Sequence, residues 1–182
     1  MGLFLAFPAD ASTLRFDQAR STIEFKVRHL LGTAAGRFTQ FTGTIEVDPE
    51  RPQSSSVQAT IQARSIDTKI EKRDAHLREL FDVERFPSIT FRSKSVRLVE
   101  AKTAEVSGDF TMHGVTKPMT LRVKLISVEG EHGRRSARWQ VTCPALHRSE
   151  YGLRWSGAVE AASMISDEVN VALEIVARET TN

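Results

Sequence analysis

Val169-Asn170-Val171-Ala172-Leu173-Glu174-Ile175-Val176-Ala177 decides the fold class. Val169, Val171, Leu173, Ile175 and Ala177 recur at every second position, and Asn170 and Glu174 fall on the other phase. Successive strand side chains point to opposite faces, so such a run has one dry face and one wet face. The pattern repeats along the chain. Ile23, Phe25 and Val27 alternate with Thr22, Glu24, Lys26 and Arg28. Phe41, Gly43, Ile45 and Val47 form the next run, then Val57, Ala59, Ile61 and Ala63. Val106, Gly108, Phe110 and Met112 follow, then Met119, Leu121, Val123 and Leu125, then Ala137, Trp139, Val141 and Cys143. One buried side per strand is the mark of antiparallel sheet. The runs add up to about eight strands, an all-β chain that closes an extended antiparallel barrel around a dry interior.

Breaks in the pattern are informative too. Phe38 is out of phase with Phe41, which predicts a bulge near Thr39-Gln40. Phase is lost again between Ile89-Phe91 and Val96-Leu98, so that strand is bent or interrupted. Gly114 to Pro118 is short enough for a hairpin, and Gly130 with Gly133 marks another turn. One segment has a different period. Thr68-Lys69-Ile70-Glu71 reads as a capping box, and Ile70, Leu77, Leu80 and Phe81 recur at helical spacing. The spacing predicts one inserted helix over 69–80, lying over a barrel mouth or across the outside. Asp74 falls on the same face as Ile70 and Leu77. A buried carboxylate needs a partner, so Asp74 is expected to meet Arg148, Arg73, a histidine or a set of backbone N–H groups.

The chain has 182 residues, 40% hydrophobic and 26% charged, which suits one domain with a sizeable core. Its 25 basic and 23 acidic residues give a net charge of +2 and no electrostatic footprint for nucleic acid. No apolar run approaches the roughly 20 residues that span a bilayer. Leu3-Phe4-Leu5-Ala6-Phe7 and Ala9-Asp10-Ala11 fit the remnant of an export signal as well as an accidental apolar tail. Residues 1–12 are set apart as an N-terminal tail, and 13–182 are read as the domain. The export reading is preferred, which places the protein in the periplasm or outside the cell, with the cytoplasm as the alternative. Cys143 is the sole cysteine, is on an inward phase, and reads as a small buried hydrophobe.

Chemistry is thinly marked. His29, His76, His113, His132 and His147 show no H-x-x-x-H spacing and no cysteine cluster accompanies them, so no metal site is expected. No G-x-S-x-G elbow and no phosphate-binding glycine loop is present. The inward phases instead carry many of the ten Phe and two Trp, interleaved with Gly43, Ala59, Ala63, Gly108 and Ala137. Those small residues either carve a slot for a ligand or let large residues from the far wall interdigitate. Periodicity allows both.

Several segments carry a resemblance. They are Ser21-Thr22-Ile23-Glu24-Phe25 with Val27-Arg28-His29-Leu30, Gly36-Arg37-Phe38, and Ser65-Ile66-Asp67-Thr68. Arg73-Asp74-Ala75-His76-Leu77, Phe81-Asp82-Val83 and Phe86-Pro87 follow. Then come Gly108 to Met112, His113-Gly114-Val115-Thr116-Lys117-Pro118, His147-Arg148 to Tyr151-Gly152, and Asp167-Glu168-Val169. In this order they resemble the YceI-like family, polyisoprenoid-binding proteins with a lipocalin-like barrel. The resemblance implies an inserted helix, a long isoprenoid or fatty-acid-like lipid in the interior, no other cofactor, and a homodimer. Asp74 and His76 belong by resemblance to a shared structural or mouth element. Tyr151 stands where family members often carry Phe, and its hydroxyl needs a partner if buried.

The expected function is to bind, and so sequester or transport, such a lipid. Its tail is expected to run along Phe25, Val27, Phe38, Ile45, Phe91, Phe110, Met112, Leu121, Trp139 and Val141. A polar end would meet His29, Arg148 or the helix. Two rivals stand beside it. One is an enzyme acting on an apolar substrate with His29 or Asp74 as acid or base, and the other an interaction protein whose barrel core is packed solid.

Overall fold

A computed structural model describes residues 12–48, 50–130 and 134–180. The strands are β1 (Ser12–Phe16), β2 (Thr22–His29), β3 (Gly32–Phe38), β4 (Phe41–Val47), β5 (Ser56–Gln62) and β6 (Ile66–Asp67). After helix α1 (Glu71–Leu80) come β7 (Ser88–Glu100), β8 (Thr103–Met112), β9 (Val115–Glu129), β10 (Ser136–Thr142) and β11 (Leu146–His147). Helix α2 (Gly157–Ser163) then leads to β12 (Glu168–Glu179). The ring β1-β4-β5-β7-β8-β9-β10-β12 closes on itself, because β12 pairs with β1 through Leu14↔Glu179 to Phe16↔Ala177. Eight antiparallel strands therefore make the barrel, as the alternation predicts.

Three of the remaining four strands are continuations of ring strands, and the fourth, two-residue β11, pairs with the start of β12. β2, β3 and β6 prolong β1, β4 and β5 past local breaks and raise one side of the wall. β12 shows the geometry: Ala177 to Glu179 pair with β1, while Val169 to Glu174 pair with β2. Two of the breaks line up between neighbouring strands, since Thr39 N–H donates to Ser65 O at 3.1 Å and Gln62 N–H donates to Gln40 O at 2.9 Å. The bulge expected at Thr39-Gln40 is this interruption between β3 and β4. The phase loss in β7 is a register shift between Ser93 and Ser95 against β8. The β8–β9 turn is tighter than predicted. His113 (φ 51°) and Gly114 (φ 74°) form a two-residue hairpin, and Pro118 already lies within β9.

Two expectations about the insertions need correction. α1 begins at Glu71, and no side chain caps it. The Thr68 hydroxyl is committed to Asp74 instead, so the capping box does not form. A second helix, α2, was not legible: it has seven residues and no apolar stripe of helical period. Residues 1–11, 49, 131–133 and 181–182 lie outside the described part, and with them His132 and most of the turn expected between Gly130 and Gly133.

Packing closes one end of the barrel. Leu14, Val47, Val96, Ala104, Leu125 and Ile175 form a core there, with Ala137 and Ala177 almost fully buried. At the other end Ile89, Met112, Tyr151 and Leu153 make a smaller cluster beneath the loops that carry the helices. No helix among the described residues is long and apolar enough to cross a membrane.

Candidate functional site

Between the two clusters the barrel interior is not filled by side chains. It holds a cavity of about 750 Å³, roughly 25 times the volume one liquid water occupies. Val169, Val171, Leu173 and Ile175 mark its length along β12, about 20 Å at strand rise. The burial pattern records the cavity as well. Ile175 is buried with the closed end, but Val169, Val171 and Leu173 are only half-buried although they point inward. Phe25 and Val27 on β2, with Leu121 and Val123 on β9, behave the same way.

All twelve residues expected on the interior path border this space. Phe25, Val27 and His29 come from β2, and Phe38 and Ile45 from β3 and β4. Phe91, Phe110, Met112 and Leu121 come from β7, β8 and β9. Trp139 and Val141 come from β10, and Arg148 from the 3-10 turn after β11. Aromatic contacts fix part of the wall: Phe25 and Phe38 have ring centroids 5.8 Å apart, and Phe81 meets Phe38 edge-on at 6.3 Å.

The small inward residues behave differently from the slot they suggested. Among them, Ala59 borders the cavity. A Cβ on Gly43 would collide with the Phe16 ring, so Gly43 makes room for an aromatic that itself lines the space. A Cβ on Gly108 would collide with the Arg92 carbonyl, so Gly108 accommodates the irregular stretch of β7. Ala137 is packed in the closed-end core.

Polar side chains gather at the open end. α1 lies across it, not on the outside, and contributes Lys72, Arg73, His76 and Leu77 to the lining. Asp74 is 6% exposed and does not line the cavity. Its Oδ1 accepts from the Thr68 N–H at 2.9 Å and from the Thr68 hydroxyl. The cation comes second-hand: Arg73 donates to the Thr68 hydroxyl at 2.8 Å and to its carbonyl at 2.9 Å. Asp74 thus fastens α1 to the end of β6, and neither Arg148 nor a histidine is its partner.

Arg148 is spent in a comparable way. It is 6% exposed and donates to Ser166 O (3.0 Å), Leu153 O (2.8 Å), Ile165 O (3.3 Å) and Glu160 Oε1 (2.8 Å). The Trp155 ring lies 5.0 Å from its guanidinium. Four of its five N–H groups therefore tie the α2 loop to the barrel. The Arg148 hydrogen bond, joined by the Trp155 N–H, holds the Glu160 carboxyl below its ordinary value. His29 Nδ1 accepts from Leu31 N–H at 3.3 Å at the tip of the β2–β3 hairpin.

The remaining candidates serve the frame. His113 Nδ1 is 2.8 Å from Tyr151 O, and its ring meets Phe86 edge-on at 4.7 Å. Tyr151 is buried, which pushes its phenol up, and its ring meets Phe110 edge-on at 5.6 Å. Cys143 is half-buried on the cavity wall, and burial raises its thiol to about 11. Ser149, Asp167 and His147 stand together, with the acid in the middle. The Ser149 hydroxyl donates to Asp167 at 2.8 Å, and His147 is 3.5 Å from the same carboxylate. A nucleophile needs its base alongside, and this order does not provide one. Among the described residues no group of three His, Cys, Asp or Glu could hold a metal ion. Sequence reasoning missed Trp155, Val159 and Ile165, which close the cavity from the α2 loop without strand periodicity.

An eight-stranded barrel with a helix laid over a cavity of this kind has known counterparts. BcnA of Burkholderia cenocepacia superposes with a TM-score of 0.74 at 21% identity, covering 88% of this chain and 98% of that one. A polyisoprenoid binding domain from Saccharophagus degradans, implicated in plant cell wall breakdown, superposes with a TM-score of 0.67 at 17% identity, covering 93% and 99%. At these identities the likeness is one of fold. Sequence adds kinship: Protein YceI of Salmonella arizonae and a UPF0312 protein of Pseudomonas aeruginosa are each 36% identical over 129 residues, 68% of this chain and 67% of theirs. The YceI-like domain matches residues 14–177, from the first barrel strand to the last, and the chain belongs to that family.

Proposed function

We propose that the protein binds a long isoprenoid or a related fatty-acid-like lipid inside the barrel, and by doing so sequesters or carries it. The carrying observation is the half-buried inward face: apolar side chains from β2, β9 and β12 point into a cavity closed at one end by packed core. A linear apolar ligand suits this space in shape and chemistry, since covering such surface contributes roughly 25 cal/mol per Å². The neighbour from Saccharophagus degradans is described as polyisoprenoid-binding, which supports the ligand class. The lipid's polar end lies at the open end, near His29, Lys72 and His76.

Binding alone performs this function, with no cofactor and no bond made or broken. Export to the periplasm or beyond is part of the same reading, because such a lipid needs a carrier between membranes. The test is native mass spectrometry of the purified protein, followed by solvent extraction. The expected result is a bound species that extraction releases, with masses differing by one isoprene unit or by two methylenes. A protein that carries nothing and takes up no added polyisoprenoid would refute the proposal.

A further inference from the structure

The open end of the barrel also has an outer surface. Among the described residues seven large apolar side chains are exposed, and five of them stand around the cavity mouth: Leu30 (60%), Leu31 (90%), Ile70 (51%), Val159 (45%) and Met164 (64%). Scattered apolar residues are normal on a protein surface, but a group on one rim is not. The backbone holds the group together. Leu30 N–H donates to Ser163 O at 3.0 Å, and Ser166 N–H donates to Arg28 O at 2.8 Å, so the β2–β3 tip is fastened to the end of α2. Ile70 and Val159 also border the cavity, which makes the outer patch continuous with the interior.

Charge around the patch is of one prevailing sign. Lys26 and Arg28 on β2, Lys72 on α1 and Arg154 before α2 are exposed, and among the described residues none has a carboxylate within 4 Å. Three of the nearby acids are engaged. Asp67 takes Arg37 and Lys69, Glu160 takes Arg148, and Asp74 is buried; Glu71 and Glu168 stay exposed near the rim, and Glu24 and Glu79 lie at the ends of β2 and α1 away from it. Apolar side chains ringed by unpaired cations match the boundary between acyl chains and anionic headgroups.

We propose that this rim docks on an anionic bilayer surface. Leu30, Leu31 and Met164 enter the headgroup region, and Lys26, Arg28, Lys72 and Arg154 face the lipid phosphates. The cavity then opens onto the membrane, so a lipid passes between bilayer and barrel without crossing water. The proposal goes beyond the cavity reading, and the two fail separately.

The test is flotation of the full chain with phosphatidylcholine vesicles, with or without phosphatidylglycerol. Uptake of a water-soluble fluorescent fatty acid is measured in parallel without vesicles. The wild type floats with the anionic vesicles, and less at high salt. Leu31→Asp with Met164→Asp lowers that partition by about tenfold or more. Arg28→Gln and Arg154→Gln each lower it by about fivefold, on anionic vesicles only. Uptake of the soluble probe is unchanged in all of them, which shows that they fold. Docking is overturned if the wild type takes up probe but does not float, or if the rim variants float like the wild type. It is equally overturned if the wild type is a dimer that Leu31→Asp splits while vesicle binding is absent, because a second copy then covers the rim. Flotation without uptake leaves docking standing and removes the cavity reading.

Discussion

Ala59 stands midway along the cavity wall, between Val57 and Ile61 on β5, and pairs with Phe91 on β7. Ala59→Phe puts a ring into the lumen at about half its depth. The cavity of about 750 Å³ then loses about half its volume beyond the plug, room for about 12 non-hydrogen atoms at about 30 Å³ each. Ligands of this size gain about 0.3 kcal/mol per atom. The long-chain ligand therefore loses about 4 kcal/mol, which is several hundred-fold in Kd. Full transfer values per methylene would give more, but part of that gain is always spent on ordering the ligand. Stability moves little, because the ring enters existing space and gains dispersion contacts there. The assay is displacement of a fluorescent lipid by acids and prenyl alcohols of graded length. Chains short enough to end above the plug compete as before, and long chains fail. An unchanged affinity for the long chains, with the fold intact, would mean that the tail does not run past residue 59.

Arg148→Met removes three bonds to carbonyls of the α2 loop, about 3 kcal/mol at about 1 kcal/mol each; that lowers Tm by about 10 °C. Hydrogen exchange should show the loss of protection confined to residues 153–166, and a uniform loss would contradict the clamp. Cys143, raised by burial from the ordinary 9.0 to about 11, is almost wholly thiol at neutral pH, so maleimide labelling at pH 8 should run about a hundredfold slower than in the unfolded chain. The rate should climb with each pH unit up to about 11 and fall when lipid occupies the cavity, and fast labelling at pH 8 would contradict its burial. The side-chain hydrogen bond from Lys69, with its N–H and Arg37, lowers Asp67 from 3.8 to about 2. A depressed carboxylate contributes above its unfolded value and fades as pH falls through the folded one; acid unfolding of Asp67→Asn should therefore differ from wild type at pH 5 and converge with it near pH 2. Gly108→Ala presses a Cβ against the Arg92 carbonyl; it should lower Tm while leaving lipid capacity per folded molecule unchanged, the reverse of Ala59→Phe.

The contrast between positions 59 and 108 shows where reading the sequence succeeds and where it stops. Alternation places both residues on the inward phase, as it does Phe25, Val27, Phe110 and Trp139, which border the cavity. A period of two reports only which face a side chain takes. What stands opposite that face depends on neighbouring strands, and the Arg92–Ser93 irregularity that fills the space at Gly108 leaves no trace within β8 itself. The breaks that split three strands were legible at one place, Phe38 to Phe41, because an apolar residue sits on each side of it. The breaks at 17–21 and 63–65 run through 3-10 turns and have an apolar residue directly on one side only, Phe16 and Ile66, so no clash of phase shows across them. α2 escaped for a related reason: it is held by the Ser156 cap and the Arg148–Glu160 pair, not by an apolar stripe.

That mode of attachment bears on what the site can recognise. Both segments at the mouth are fixed by buried polar hubs, α1 by Asp74, Thr68 and Arg73, and the α2 loop by Arg148. A buried charge with its donors and acceptors committed gains little from a ligand and loses much if a ligand competes for its partners. Arg148 and Asp74, the polar residues with the strongest claim from sequence, are therefore the least available to a headgroup. His29, Lys72 and His76 remain, and they are half-buried or exposed to water. Contacts in water are worth less than the same contacts in a dry site, whereas each methylene moved into the apolar lumen contributes about 0.8 kcal/mol before ordering costs. Chain length must then discriminate between ligands more strongly than headgroup does, up to the depth set by the Leu14, Val47 and Ile175 core.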